Sequence, residues 1–192
     1  MPSPSHHPPT LREDGGAAAL CSAHVDRARR ATTGGPPVNR RELPAPARPF
    51  AAAVSAAVSA AADRDAGAFA DAVAGLAALD PSRVGLVLGT LVRVLLEDGH
   101  PDGLDAGDVR AVLERSVRSS AQWQPDVDPQ VMLLLLAGAL GVYDPDDGQP
   151  PPPPGAVARH GALLVAELVG KRSLADCLTW TFAEIERAQL ND

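Results

Sequence analysis

Apolar residues recur every three or four positions along most of the chain after residue 49, and this spacing is typical of α-helices. The stripes begin at Phe50, Phe69, Val84, Val109, Val131, Val157 and Leu174. No stretch shows the convincing alternation of apolar and polar residues that marks a half-buried strand. The pattern therefore predicts an all-α fold, built as a single bundle of about six to seven helices.

Several of these stripes are preceded by residues that start helices. Asp80–Pro81 and Asp128–Pro129 each place an N-capping side chain before a proline at the first helical position. Proline has no backbone N–H group, and at the first helical position such a group would have no hydrogen-bond partner within the helix. Residues 105–108 and 173–176 have the spacing of a capping box, with an acidic residue at its third helical position.

The most apolar part of the chain is the uncharged run at residues 129–143. A helix needs roughly 20 predominantly apolar residues to cross a bilayer, whereas shorter runs are more typical of buried helices. This run has 15 residues and is flanked by aspartates. We therefore predict a buried helix and no membrane partner.

The first 48 residues differ from the rest in composition and charge. They are rich in Pro, Gly and Arg, lack a sustained helical period and carry seven arginines against four acidic residues, a net charge of +3. We predict a disordered tail at residues 1–48, followed by a helical domain at 49–192. The domain carries ten basic and twenty acidic residues, a net charge of −10. An acidic body repels phosphate backbones, so no nucleic-acid partner is expected.

The N-terminal stretch has no apolar segment like that of a secretory signal. The two cysteines, Cys21 and Cys177, lie too far apart in sequence to indicate a secreted disulfide framework. Cytoplasmic localisation is the resulting prediction. Cys21-x-x-His24 has the spacing of half a zinc site, but a second half is missing and no cofactor is predicted.

Residues 98–108 place acidic side chains in a loop between two helices, in a pattern that partly resembles a calcium-binding loop. The candidate ligands are Asp98, His100, Asp102, Asp105 and Asp108. A histidine occupies the third position, where such loops use oxygen, and a valine occupies the twelfth. An interhelical turn is the favoured interpretation, and cation binding is the weaker alternative. The acidic residues at 144–147 allow the same two interpretations.

Residues 144–155 form a predicted proline-rich loop that is followed by a further helix. Pro150, Pro152 and Pro154 belong to a run of five prolines that favours an extended polyproline II segment. Such a segment serves as a linker or docks into an aromatic groove. Trp123 and Trp180 are candidate interface anchors, with packing inside the domain as the alternative.

Gly85-x-x-x-Gly89 lies on an apolar helix and allows close approach of a neighbour, within the chain or across a dimer. No phosphate loop, nucleophile motif or metal-hydrolase motif occurs, so no enzyme is predicted. The leading interpretation is a protein-interaction or adaptor module, with a homodimer as one option. The alternative is a small-molecule-sensing domain whose apolar pocket is lined by His160, Cys177 and Trp180.

Overall fold

The computed structural model describes residues 43–143 and 150–191, which belong to one compact unit. They form a short 3₁₀ helix and seven α-helices, with no β-strand among them. The α-helices are α1 (Arg48–Ala62), α2 (Ala66–Ala77), α3 (Pro81–Gly99), α4 (Ala106–Ala121), α5 (Pro129–Ala139), α6 (Pro154–Val169) and α7 (Leu174–Asn191). The predicted all-α bundle is confirmed.

Helical structure begins earlier than the predicted boundary between residues 48 and 49. A 3₁₀ helix spans Ala45–Ala47, and α1 begins directly after it. The Arg48 Nε atom donates a hydrogen bond to the Leu43 carbonyl oxygen at 3.1 Å, and Ala47 is buried in the core. The remaining part of the predicted tail, residues 1–42, lies outside the described residues.

At the predicted helix starts, aspartate side chains accept hydrogen bonds from backbone N–H groups. The carboxylate of Asp80 accepts from a backbone N–H three residues ahead at 2.8 Å, and that of Asp128 accepts from one two residues ahead at 2.8 Å. Asp105 and Asp108 accept from each other's backbone N–H groups, completing a capping box. These short-range contacts satisfy donors that the first turn of a helix leaves without a partner.

The bundle is organised around α6 and α3. α6 packs against α1, α2, α3, α4 and α5, while α3 also packs against α5 and α7. The two central helices approach closely at Gly161, because a Cβ atom built there would lie 2.8 Å from Leu88 Cδ1. Leu88 is itself buried, so its side chain has little room to move away. Glycine at position 161 therefore sets the distance between α3 and α6.

The predicted buried helix in the apolar run ends at Ala139, well before Tyr143. Met132 and Leu136 are fully buried, whereas Leu133 is 40% exposed, so the predicted buried helix faces the core on one side and solvent on another. In the described part of the chain no single helix is long and apolar enough to cross a membrane. Helices α2 and α3 are long and apolar enough when taken together, but the chain bends by 119° at the break between them.

The Gly161→Ala variant tests the central contact. The added methyl group has to displace Leu88, and overpacking of this kind outweighs the gain in helix propensity. We expect the free energy of unfolding to fall by about 1–2 kcal/mol in urea denaturation. Gly75→Ala is the control, since a Cβ at this exposed helical position meets no atom within 4 Å. It should raise stability by about 0.5–1 kcal/mol, and equal effects of the two variants would contradict the assignment.

Ser116 on α4 provides a second test of the packing. Its side chain is fully buried, and among the described residues its hydroxyl oxygen is the one buried side-chain polar atom without a hydrogen-bond partner. An unsatisfied buried polar group costs about 1–3 kcal/mol. We therefore expect Ser116→Ala to raise the free energy of unfolding by about 1 kcal/mol.

Thr181 is the matched control for this variant, because it is equally buried but its hydroxyl donates to the Cys177 carbonyl at 2.8 Å. Thr181→Ala removes a satisfied hydroxyl together with a packed methyl group, so it should destabilise the domain. A stabilising effect at position 181, or a loss of stability at position 116, would count against this assignment.

Candidate functional site

A groove of about 990 Å³ lies above the exposed face of α3. α5 and α7 both pack against α3 and form its two walls. The stripe Gly85, Gly89, Arg93 and Glu97 runs along the floor at four-residue spacing. We call this depression the α3–α5–α7 groove.

The two floor glycines have no close neighbour in the described part of the chain. A Cβ atom built at either Gly85 or Gly89 would meet nothing within 4 Å. The prediction that this glycine pair packs tightly against a neighbour within the chain is therefore wrong for the described residues. The pair instead presents bare helix backbone to the groove, where a second molecule can approach the α3 axis closely.

One exposed apolar side chain lines this groove, and others are close to its lining residues in the sequence. Five large apolar residues are 40 to 85% exposed in the described structure: Leu86, Leu133, Val142, Trp180 and Leu190. Leu86 lines the groove directly, and three of the others adjoin lining residues in the sequence. Exposed apolar side chains scattered singly need no explanation, whereas Leu86 is exposed at a concave site.

Trp180 is the fifth of these residues and belongs to the same wall. Trp180, Glu184 and Ala188 follow one another at four-residue spacing on α7, so they share one face of that helix. The latter two line the groove. Trp180, which was a candidate interface anchor, therefore extends the α7 wall by one turn and is 54% exposed.

The charges in the groove are distributed unevenly. Arg93 and Glu97 on α3 are 3.9 Å apart, and Glu184 on α7 pairs with Arg187 at 2.8 Å. The α5 wall contributes only apolar residues, among them Leu134 and Leu135. One side of the groove is therefore apolar, whereas the α3–α7 side carries two carboxylates and one guanidinium in its lining.

The sequence contained a signal for the α5 wall that the periodicity analysis did not use. Leu133–Leu136 are four consecutive leucines, and successive helical residues point about 100° apart. Four in a row cover most of the helix circumference, so they cannot all face one core. In an 11-residue helix at the edge of a bundle, some of them have to face outward.

The acidic loop at residues 98–108 is a turn whose polar groups have partners within the protein. Asp98 pairs with Arg172 at 2.8 Å, and His100 Nδ1 lies 2.9 Å from the Leu96 carbonyl oxygen. Asp105 and Asp108 cap α4, and Asp102 is exposed. The described residues contain no group of three or more His, Cys, Asp or Glu side chains that could hold a metal ion. These contacts are those of an interhelical turn, and cation binding by these residues stays an untested alternative.

The other interaction candidates lie apart from one another. The rings of Trp123 and Phe69 pack edge to face, with centroids 5.2 Å apart, so this tryptophan contributes to packing inside the domain. Pro150 is exposed, Pro152 lines the α3–α5–α7 groove, and Pro154 is the first residue of α6 and not part of an extended segment. Residues 144–149, with the second acidic loop, lie outside the described residues.

The predicted pocket residues His160, Cys177 and Trp180 do not meet in one cavity of the described structure. His160 borders a separate depression of about 590 Å³ between α2, α5 and α6, which neither of the other two lines. Burial raises the pKa of the Cys177 thiol, while the nearby Arg172 lowers it and the carboxylates of Asp98 and Asp176 raise it further. A thiol of this kind stays protonated at neutral pH and is a weak nucleophile.

His160 joins two parts of the bundle. Its Nε2 atom accepts a hydrogen bond from the backbone N–H of Asp128 at 2.9 Å, and its Nδ1 atom lies 2.9 Å from the Ala156 carbonyl oxygen. Since an N–H group must donate, these partners assign the ring proton to Nδ1. The imidazole therefore connects the start of α5 to α6 and has both ring nitrogens in use.

Substitution of His160 tests this structural role. His160→Leu leaves the Asp128 N–H without an acceptor in a mostly buried site, which costs about 1–3 kcal/mol. His160→Gln can place its amide oxygen near the position of Nε2 and should recover part of that loss. Urea denaturation measures both variants. Equal stability of the Leu variant and the unmodified protein would show that the bond contributes nothing.

Comparison with known protein families, curated proteins and solved structures finds no match for this chain. The groove, its apolar α5 wall and its charged α3–α7 side are therefore the features that point to a function.

Proposed function

We propose that the helical domain is a non-enzymatic protein-binding module and that the α3–α5–α7 groove is its binding site. The observation that carries this proposal is the groove itself, with exposed Leu86 in its lining, two open glycines on its floor and exposed Trp180 on the α7 face that continues one wall. Burial of such side chains against a partner stabilises a complex by roughly 25 cal/mol per Å² of apolar area before the costs of association.

Trp180 is the expected anchor of this interface. Tryptophan is enriched among the residues that dominate binding energy, because it brings a large rigid surface with few rotatable bonds. Around it, Glu184 and Ala188 continue the wall, and the bare backbone at Gly85 and Gly89 allows a partner to pack closely.

The groove favours a macromolecular partner over a small apolar ligand. Sites for small molecules bury most of the ligand surface, whereas this groove is open to solvent. The more confined cavity beside it, lined by Phe50, Leu86 and Phe182, has a volume of about 100 Å³, below the usual range for such sites. The groove lining contains neither histidine nor cysteine, and the proposal includes no catalytic step.

The test uses a photo-activated benzophenone side chain placed at Leu86 in the full chain. We expect one specific protein, identified by mass spectrometry, to be cross-linked at this position and not from a probe at exposed Arg110 on α4. Gly85→Leu/Gly89→Leu fills the floor and should abolish the cross-link, whereas Gly75→Leu, at an open helical position outside the groove, should leave it unchanged.

Trp180→Ala should weaken the captured complex by about 30-fold, as expected for an interface anchor. Thermal unfolding of each variant shows whether its fold is intact. The proposal is wrong if groove and control positions cross-link the same proteins. It is also wrong if a small apolar ligand raises the Tm of the full chain and the floor-filling variant removes that shift.

A further inference from the structure

We infer that the occupant of the α3–α5–α7 groove is a basic amphipathic α-helix of a different protein. This inference rests on the proposed function and adds three properties to it: the conformation of the bound segment, the sign of its charge and its origin outside this chain. The conformation and the charge are inferred from the groove, and the origin is inferred from the net charge of the chain.

The walls of the groove indicate that the bound segment is helical. α5 and α7 are helices whose backbone groups are already paired internally, and the described residues include no strand edge to which an extended peptide could add. An extended segment would leave its own N–H and C=O groups without partners against an apolar lining. A polyproline II segment needs an aromatic-lined groove, whereas the lining here includes one aromatic residue, Tyr143, with Trp180 one turn beyond it on α7. A helix satisfies its backbone internally.

The floor of the groove fits the shape of a helix. From Gly85 to Glu97 the stripe extends about 18 Å at 1.5 Å per residue, which is more than three helical turns. The first half of this stripe is bare glycine backbone, so a partner helix with Ala, Gly or Ser there can approach α3 closely. The second half, at Arg93 and Glu97, is charged.

The acidic charge of the domain and of the groove lining indicates the sign. The lining has two carboxylates, Glu97 and Glu184, and one guanidinium, Arg93, while Arg187 pairs with Glu184 from outside the lining and the α5 wall has no charge. Residues 49–192 as a whole carry a net charge of −10. A helix with leucines toward α5 and arginines or lysines toward α7 matches both features, and the overall field attracts it.

A second copy of the chain fits poorly. Each copy has a net charge of −7, so two copies repel each other. Two grooves placed face to face would enclose a void that removes the packing a stable interface needs.

Four fluorescent peptides of about 18 residues test this inference on the full chain by fluorescence anisotropy. The reference peptide has a leucine face, alanines facing Gly85 and Gly89, and arginines along one flank. Replacing those arginines with glutamates should weaken binding about fivefold to tenfold at low salt, and this difference should shrink at about 1 M salt. Replacing the alanines with leucines should prevent close approach. Two central prolines should weaken binding at least about 100-fold.

Matched charge variants separate the groove edge from the general field. Glu97→Gln/Glu184→Gln should remove most of the preference for the arginine peptide. Asp71→Asn/Glu114→Gln neutralises two exposed acids outside the groove and should leave that preference intact. Equal effects of both double variants would overturn the assignment of the charged edge.

The possible failures are distinguishable from those of the proposed function. Groove-specific cross-links without binding of the helical peptides, or equal binding of the proline peptide, overturn the inferred helix and leave the protein-binding groove in place. Cross-links between copies of the chain, with a dimer in sedimentation equilibrium that the floor-filling variant abolishes, overturn the external partner. Loss of both cross-links and peptide binding contradicts the proposed function itself.

Discussion

The close contact between α3 and α6 at Gly161 and Leu88 determines the arrangement of the other helices. Because glycine at position 161 has no side chain, the two most central helices lie close together and Leu88 fills the space between them. α1, α2, α4 and α5 then pack around α6, while α5 and α7 pack on α3. This contact fixes one face of α3 inside the core and leaves another, with Gly85 and Gly89, toward the groove.

Glycine therefore has two different roles on one pair of helices. At position 161 the absent Cβ is replaced by a neighbouring side chain of the same domain, whereas at positions 85 and 89 no atom takes its place. The first arrangement stabilises the fold through dense packing. The second arrangement lowers helix stability by about 1 kcal/mol at each glycine because of its poor helix propensity. In the described structure no packing contact offsets this loss. Gly75 on α2 has the same open surroundings, so Gly85 and Gly89 are distinguished by their position on the groove floor.

Most side chains with potential for chemistry are used to build the bundle. Aspartates start helices, Asp98 pairs with Arg172, and His160 connects α6 to the start of α5. Burial keeps the Cys177 thiol in its neutral form. The α3–α5–α7 groove combines an apolar wall with one charged edge, and the proposed binding role is based on this combination.

The sequence by itself determined the helices and their starts, because helical period and capping depend on residues within one or two turns of each other. It also contained the four consecutive leucines of α5, a local sign that this helix is apolar on more than one side. Only the tertiary structure decided which faces are covered. His160 and Cys177 do not share a cavity, Trp123 packs against Phe69, and Trp180 stays exposed beside the groove. Whether a glycine or a tryptophan is buried depends on helices far away in sequence, and spacing along the chain carries no information about their crossing distance.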